Sequence, residues 1–123
     1  MIGYTSLGTR NLERAAAFYD ALLALMGATR TLEAEDFIVW GAPGRSSMFS
    51  IHVPFDGRPA SVGNGVMVAL AAADPSKVAA MHAKALELGG TDEGEPGSRG
   101  SGGFFAAYFR DLDGNKLNVH TMS

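Results

Sequence analysis

Asn118 and His120 stand two residues apart in DLDGNKLNVH (111–120), and at the two-residue period of a strand they fall on one face. The stretch SSMFSIHV (46–53) repeats the arrangement with Met48, Ser50 and His52. Amide, hydroxyl and imidazole groups set side by side can hydrogen-bond a ligand or move a proton at neutral pH, and the imidazoles alone could also hold a metal ion. His82 sits beside Met81 in an apolar helical pattern and reads as a packing residue. The chain has no cysteine, so thiolate zinc sites, disulfides and cysteine nucleophiles are excluded together. Arg45, Arg58 and Arg99 fall in loops, where one could clamp a carboxylate or phosphate at a pocket mouth. Glu33 and Glu35 alternate with apolar residues and read as a solvated strand face.

Strands must position these groups, and the chain supplies the same set of elements twice. IGYTSLGT (2–9) reads as a strand, Asn11 as a helix N-cap, and LERAAAFYDALLALM (12–26) as a helix whose Leu12, Ala15, Tyr19, Leu22 and Met26 form one apolar face stopped by Gly27. ATRTLEA, DFIVWGA and SSMFSIHV follow as strands. A Gly-, Pro- and Asn-rich linker comes next, and the pattern then repeats. GVMVALAAA (65–73) is a strand, Asp74 caps, Pro75 takes the first helical position, and SKVAAMHAKALEL runs to Gly89-Gly90. Sliding the first half forward until Asn11 lies on Asp74 also lays Arg14 on Lys77 and Gly27 on Gly90, the mark of a duplicated unit. GFFAAYFRD and NKLNVHT read as a hairpin around Asp-Gly, and residues 93–103 as a flexible loop. The expected fold is α+β, two tandem βαβββ modules forming a cupped, half-barrel mixed sheet. It makes one domain, with module one at 1–55, a linker at 56–64 and module two at 65–123.

The period of two then assigns faces. Leu7, Phe49, Ile51, Val53, Val66, Val68 and Leu70 are expected against the helices, as are Phe105, Ala107 and Phe109. Tyr4, Ser6, Met48, Ser50, His52, Met67, Phe104, Tyr108, Asn118 and His120 are left for the opposite faces, the candidate cup. Trp40 is a further candidate for lining it. A net charge of −3 without a basic stripe argues against nucleic acid as partner. The longest uncharged apolar run, GVMVALAAA, is too short to span a bilayer, and a cytoplasmic protein without a membrane partner is expected.

RNLERAAAFYDALLALMG resembles the helix opening of the vicinal oxygen chelate superfamily, the glyoxalase, bleomycin-resistance and dioxygenase relatives. RDLDGNKLNV resembles its closing signature, with Leu112 where the family has Pro, and GNGVMVALAAADPSKVAAMHAKALELGG resembles the start of its second module. The resemblance implies a divalent metal held by His and Glu from the first and last strands of each module. Carried over, those four positions fall on Tyr4, Ser50, Met67 and Asn118. A phenol, a hydroxyl, a thioether and a neutral amide are weak donors for Mn, Fe, Ni or Zn, so no metal cofactor is expected. A displaced site at His52 and His120, two residues beyond lost ligand positions and joined by Glu33 or Glu35, is the alternative.

Two functions remain open from sequence. One is a metal-free binding protein whose small, partly apolar ligand meets Tyr4, Trp40, Met48, Ser50, Met67, Phe104, Tyr108 and Asn118. The other is a glyoxalase-like lyase or isomerase, or a dioxygenase, using the displaced metal or His52 or His120 as catalytic base. Relatives of this size pair, so a homodimer is expected.

Overall fold

The computed structural model describes residues 1–122, which divide into two compact units meeting at Gly63 and Asn64. The first unit runs β1 (Tyr4–Gly8), α1 (Leu12–Ala24), β2 (Thr29–Glu33), β3 (Phe37–Gly41) and β4 (Met48–His52). Its sheet has the order β1-β4-β3-β2, with β1 parallel to β4 and the other pairs antiparallel. Asn11 caps α1 by accepting from the Arg14 backbone N–H at 3.0 Å, and Gly27, at φ 75°, takes the left-handed turn that ends the helical run.

The buried face of α1 carries Ala15, Ala16, Phe18, Tyr19, Leu22 and Leu23 and packs on β2, β3 and β4. Tyr19 is the hub. Its ring lies 5.0 Å from Phe18, 5.9 Å from Trp40 and 4.7 Å from Phe49, centroid to centroid. The buried Trp40 indole N–H finds its acceptor in Asp20, at 2.9 Å. The same carboxylate takes two bonds from Arg30, at 2.9 and 2.7 Å, and Arg30 also donates to Glu33. The Arg30 guanidinium, joined by the indole donor, holds the Asp20 carboxyl below the usual carboxylate range.

The second unit runs β5 (Val68–Ala71), α2 (Pro75–Glu87), β6 (Thr91–Ser98), β7 (Phe104–Arg110) and β8 (Lys116–Met122), in the sheet order β5-β8-β7-β6. It repeats the first. Both helices have 13 residues, and Asp74 caps α2 through the Lys77 N–H at 2.9 Å, with Pro75 at the first turn where its missing N–H costs nothing. The Thr9 N–H donates to the His52 carbonyl at 3.0 Å, and the Ala72 N–H to the His120 carbonyl at 2.8 Å, so the two histidines hold equivalent backbone positions. Val78, Met81 and Ala85 of α2 pack, fully buried, in the layer that holds Ala107, Phe109, Leu117 and Val119. His82, 5% exposed, shares this layer and pairs with Asp92 Oδ1 through Nε2 at 3.0 Å.

The DLDGN segment is a turn held by one carboxylate. Asp111 accepts from the backbone N–H groups of Asp113 and Asn115, at 2.9 and 3.0 Å, and from the Asn115 side-chain amide at 3.0 Å. Gly114 supplies φ 88°, which an L side chain adopts only with strain. Leu112 in place of Pro leaves this network in being.

Three sequence expectations change. Residues 91–98 are strand, not the loop expected from residue 93. β6 is an edge strand, where Pro96 loses no ladder bond, and its register shifts admit the glycines. A Cβ on Gly94 would stand 3.1 Å from the Tyr108 ring, so the glycine makes room for that ring. Next, β5 begins only at Val68, because residues 64–65 form a turn with Gly65 at φ 92°, and this leaves Val66 56% and Met67 41% exposed ahead of the strand. Last, Val53 lies beyond the end of β4 and is 39% exposed, not packed on the helix.

Candidate functional site

In the first unit, the sheet face opposite α1 is concave and bounds a cavity of about 680 Å³, within the range of small-molecule sites. Parallel pairing sets Tyr4 beside Met48 and Ser6 beside Ser50, which puts these four and His52 on that face. β3 adds Phe37 and Val39, opposite His52 and Ser50. The register shift in β2 lets the consecutive residues Thr31 and Leu32 both line the cavity. Asp36, Val53 and Phe55 complete the wall from outside the strands.

The polar groups here are specific in their pairing. Ser6 Oγ lies 2.7 Å from His52 Nδ1, a short bond that fixes the imidazole and leaves Nε2 with no protein partner among the described residues. Ser50 is 2% exposed, and its hydroxyl reaches only the Ile51 carbonyl, at 3.4 Å. Thr31 donates to the Val39 carbonyl at 3.4 Å and touches Met48 Sδ at 3.9 Å.

Trp40 is not in this wall. It alternates with Val39, so when Val39 faces the cavity Trp40 must face α1, where it is 1% exposed and bonded to Asp20. The apolar run FIVW gives no sequence signal of which parity faces which way, and this is also why Phe37 and Val39 escaped selection. Asp36 and Phe55 were missed for another reason: they lie in connections, where strand periodicity says nothing.

In the second unit, the face opposite α2 sets Tyr108 beside Asn118 and Ala106 beside His120. Asn118 Oδ1 accepts from His120 Nδ1 at 3.0 Å, which fixes the imidazole as the Nδ1–H form, and Phe104 stacks on that ring at 5.4 Å. Tyr108 is flanked by Arg99 at 5.4 Å and Lys116 at 5.6 Å from its centroid. Arg99 is further engaged by the carbonyls of Gly97 and Glu95. Met67 stands ahead of β5, outside this paired set.

The four positions implied for a metal therefore hold a 60% exposed phenol, a buried hydroxyl, a 41% exposed thioether and an amide oxygen already bonded to His120. None of these groups is a strong donor for a divalent cation. Among the described residues of either unit, no three His, Cys, Asp or Glu side chains group closely enough to hold one. No helix among the described residues is long and apolar enough to cross a membrane.

Comparison with known proteins agrees with this architecture. The family model of the Glyoxalase/Bleomycin resistance protein/Dioxygenase superfamily matches residues 1–119. The chain belongs to that superfamily. A glyoxalase/bleomycin resistance protein from Albidiferax ferrireducens T118 is similar over 100% of this chain and 99% of its own, at 34% identity and a TM-score of 0.91. A lactoylglutathione lyase from Agrobacterium tumefaciens shares the fold at 22% identity and a TM-score of 0.72, over 98% of this chain and 92% of its own. A glyoxalase-related enzyme from Fulvimarina pelagi does so at 17% identity and a TM-score of 0.76, over 98% and 87%. No curated protein matches the chain.

Proposed function

We propose that this superfamily member is a binding protein that takes a small, partly apolar ligand on the face of β1–β4 without a metal. The carrying observation is the cavity itself. Its wall is largely apolar, from Leu32, Phe37, Val39, Met48, Val53 and Phe55, with a few hydroxyls and one oriented imidazole set among them. Such a wall binds by removing apolar surface from water, while His52, held by Ser6, offers Nε2 as an orienting hydrogen-bond partner. Met48 adds a flexible thioether that adapts to ligand shape. The donors at Tyr4, Ser50, Met67 and Asn118 leave a metal little to bind, so the family's metal chemistry has no counterpart in this reading.

The same reading includes a homodimer. β1, β2, β5 and β6 are sheet edges, and Phe55, Val62, Val66 and Met67 are exposed apolar side chains, both of which favour burial against a second copy.

A naphthalene-based dye that fluoresces on leaving water tests the binding claim. It is expected to bind the purified protein, and Met48→Trp, which fills the cavity from a partly exposed position, is expected to weaken it about tenfold or more. Equal affinity for the two proteins, with circular dichroism showing both folded, would refute the assignment of this cavity.

A further inference from the structure

We infer that the cavity of the first unit selects a cationic amphiphile, an amine on an apolar or aromatic body, against an anionic one. The inference rests on the binding reading above and adds the charge of the ligand. Residues 1–63 contain five arginines and no lysine, and none of them lines the cavity. Arg30, on the strand that forms part of the wall, is turned to the α1 side, where Asp20 and Glu33 hold it. The one carboxylate in the wall is that of the exposed Asp36. Three aromatic residues, Tyr4, Phe37 and Phe55, line the same space, and the face of an aromatic ring attracts an ammonium group. An anion would be desolvated with no Lys or Arg to receive it and with Asp36 opposing it, whereas an amine keeps its charge beside Asp36 and buries its body on Val39, Met48 and Leu32. Oxygen acceptors at Ser6, Ser50 and Thr31 also suit an N–H donor.

The test is calorimetric titration of the whole protein with a matched pair of probes, 1-naphthylmethylamine and 1-naphthoate, at low and at physiological salt. The amine is expected to bind about tenfold or more tighter than the carboxylate, with the gap narrowing as salt screens Asp36. Asp36→Asn is expected to weaken the amine about fivefold and leave the carboxylate unchanged or tighter, since an exposed charge pair contributes modestly. Carboxylate affinity equal to or above that of the amine overturns the charge selectivity and leaves the binding reading standing. Failure of both probes to bind overturns the two together.

Discussion

Trp40→Ala is expected to cost about 4 kcal/mol of folding stability, measured by urea denaturation, while the milder Trp40→Phe leaves dye affinity in the cavity unchanged. The indole is 1% exposed and lies against Tyr19 and Phe49, so truncation removes a large apolar contact and opens a void beneath α1. It also strips the Asp20 carboxylate of one of its three donors. Phe keeps most of the packing and loses only the N–H bond, which corresponds to about 1 kcal/mol. Because Val39 and Trp40 point to opposite faces of β3, a substitution on the α1 side should not reach the ligand. A Trp40→Phe protein that folds yet loses the dye would place the indole in the cavity wall and refute the assigned parity.

Asp111→Ala should cost about 3 kcal/mol, and for a chain of this size lower the melting temperature by roughly 10 °C. One carboxylate, 6% exposed, gathers three donors from Asp113 and Asn115 and so sets the turn that brings β7 and β8 into register. Removing it takes the acceptor from groups that are themselves largely buried, which costs more than a surface bond. Asp111→Asn, which keeps the shape and exchanges one acceptor oxygen for an N–H₂ group, should fall between alanine and the native protein. Thermal melts of the three proteins check the order, and an Asp111→Ala protein as stable as the native one would contradict it.

These two residues also show what sequence can and cannot convey. The caps at Asn11 and Asp74, the turn at Asp111–Asn115 and the repeated strand–helix opening of each module were legible because each depends on local chemistry that a short stretch carries in full. The faces of alternating strands were legible as well: Tyr4, Ser6, Met48, Ser50 and His52 alternate with packed neighbours and do share the cavity face. Trp40 was misplaced because Phe37–Trp40 are apolar on both sides, so only the sheet they pair with assigns parity. β6 was hidden because its stability comes from pairing with β7 and from the fit of Gly94 beneath Tyr108, neither of which a Gly- and Glu-rich stretch announces. The Ser6–His52 bond joins strands far apart in sequence and depends on parallel register, which no local pattern encodes.

The closing signature has a structural role of its own. Its Asp-Gly-Asn portion builds the β7–β8 turn through the Asp111 carboxylate and Gly114. Asn118 stands in β8 with its oxygen given to His120.

Binding without metal is tested most directly by dye affinity before and after exhaustive chelation of protein purified without chelator. Dissociation constants equal within about twofold are expected. Loss of affinity on chelation, restored by adding Zn, Mn, Ni or Fe, would contradict metal-free binding.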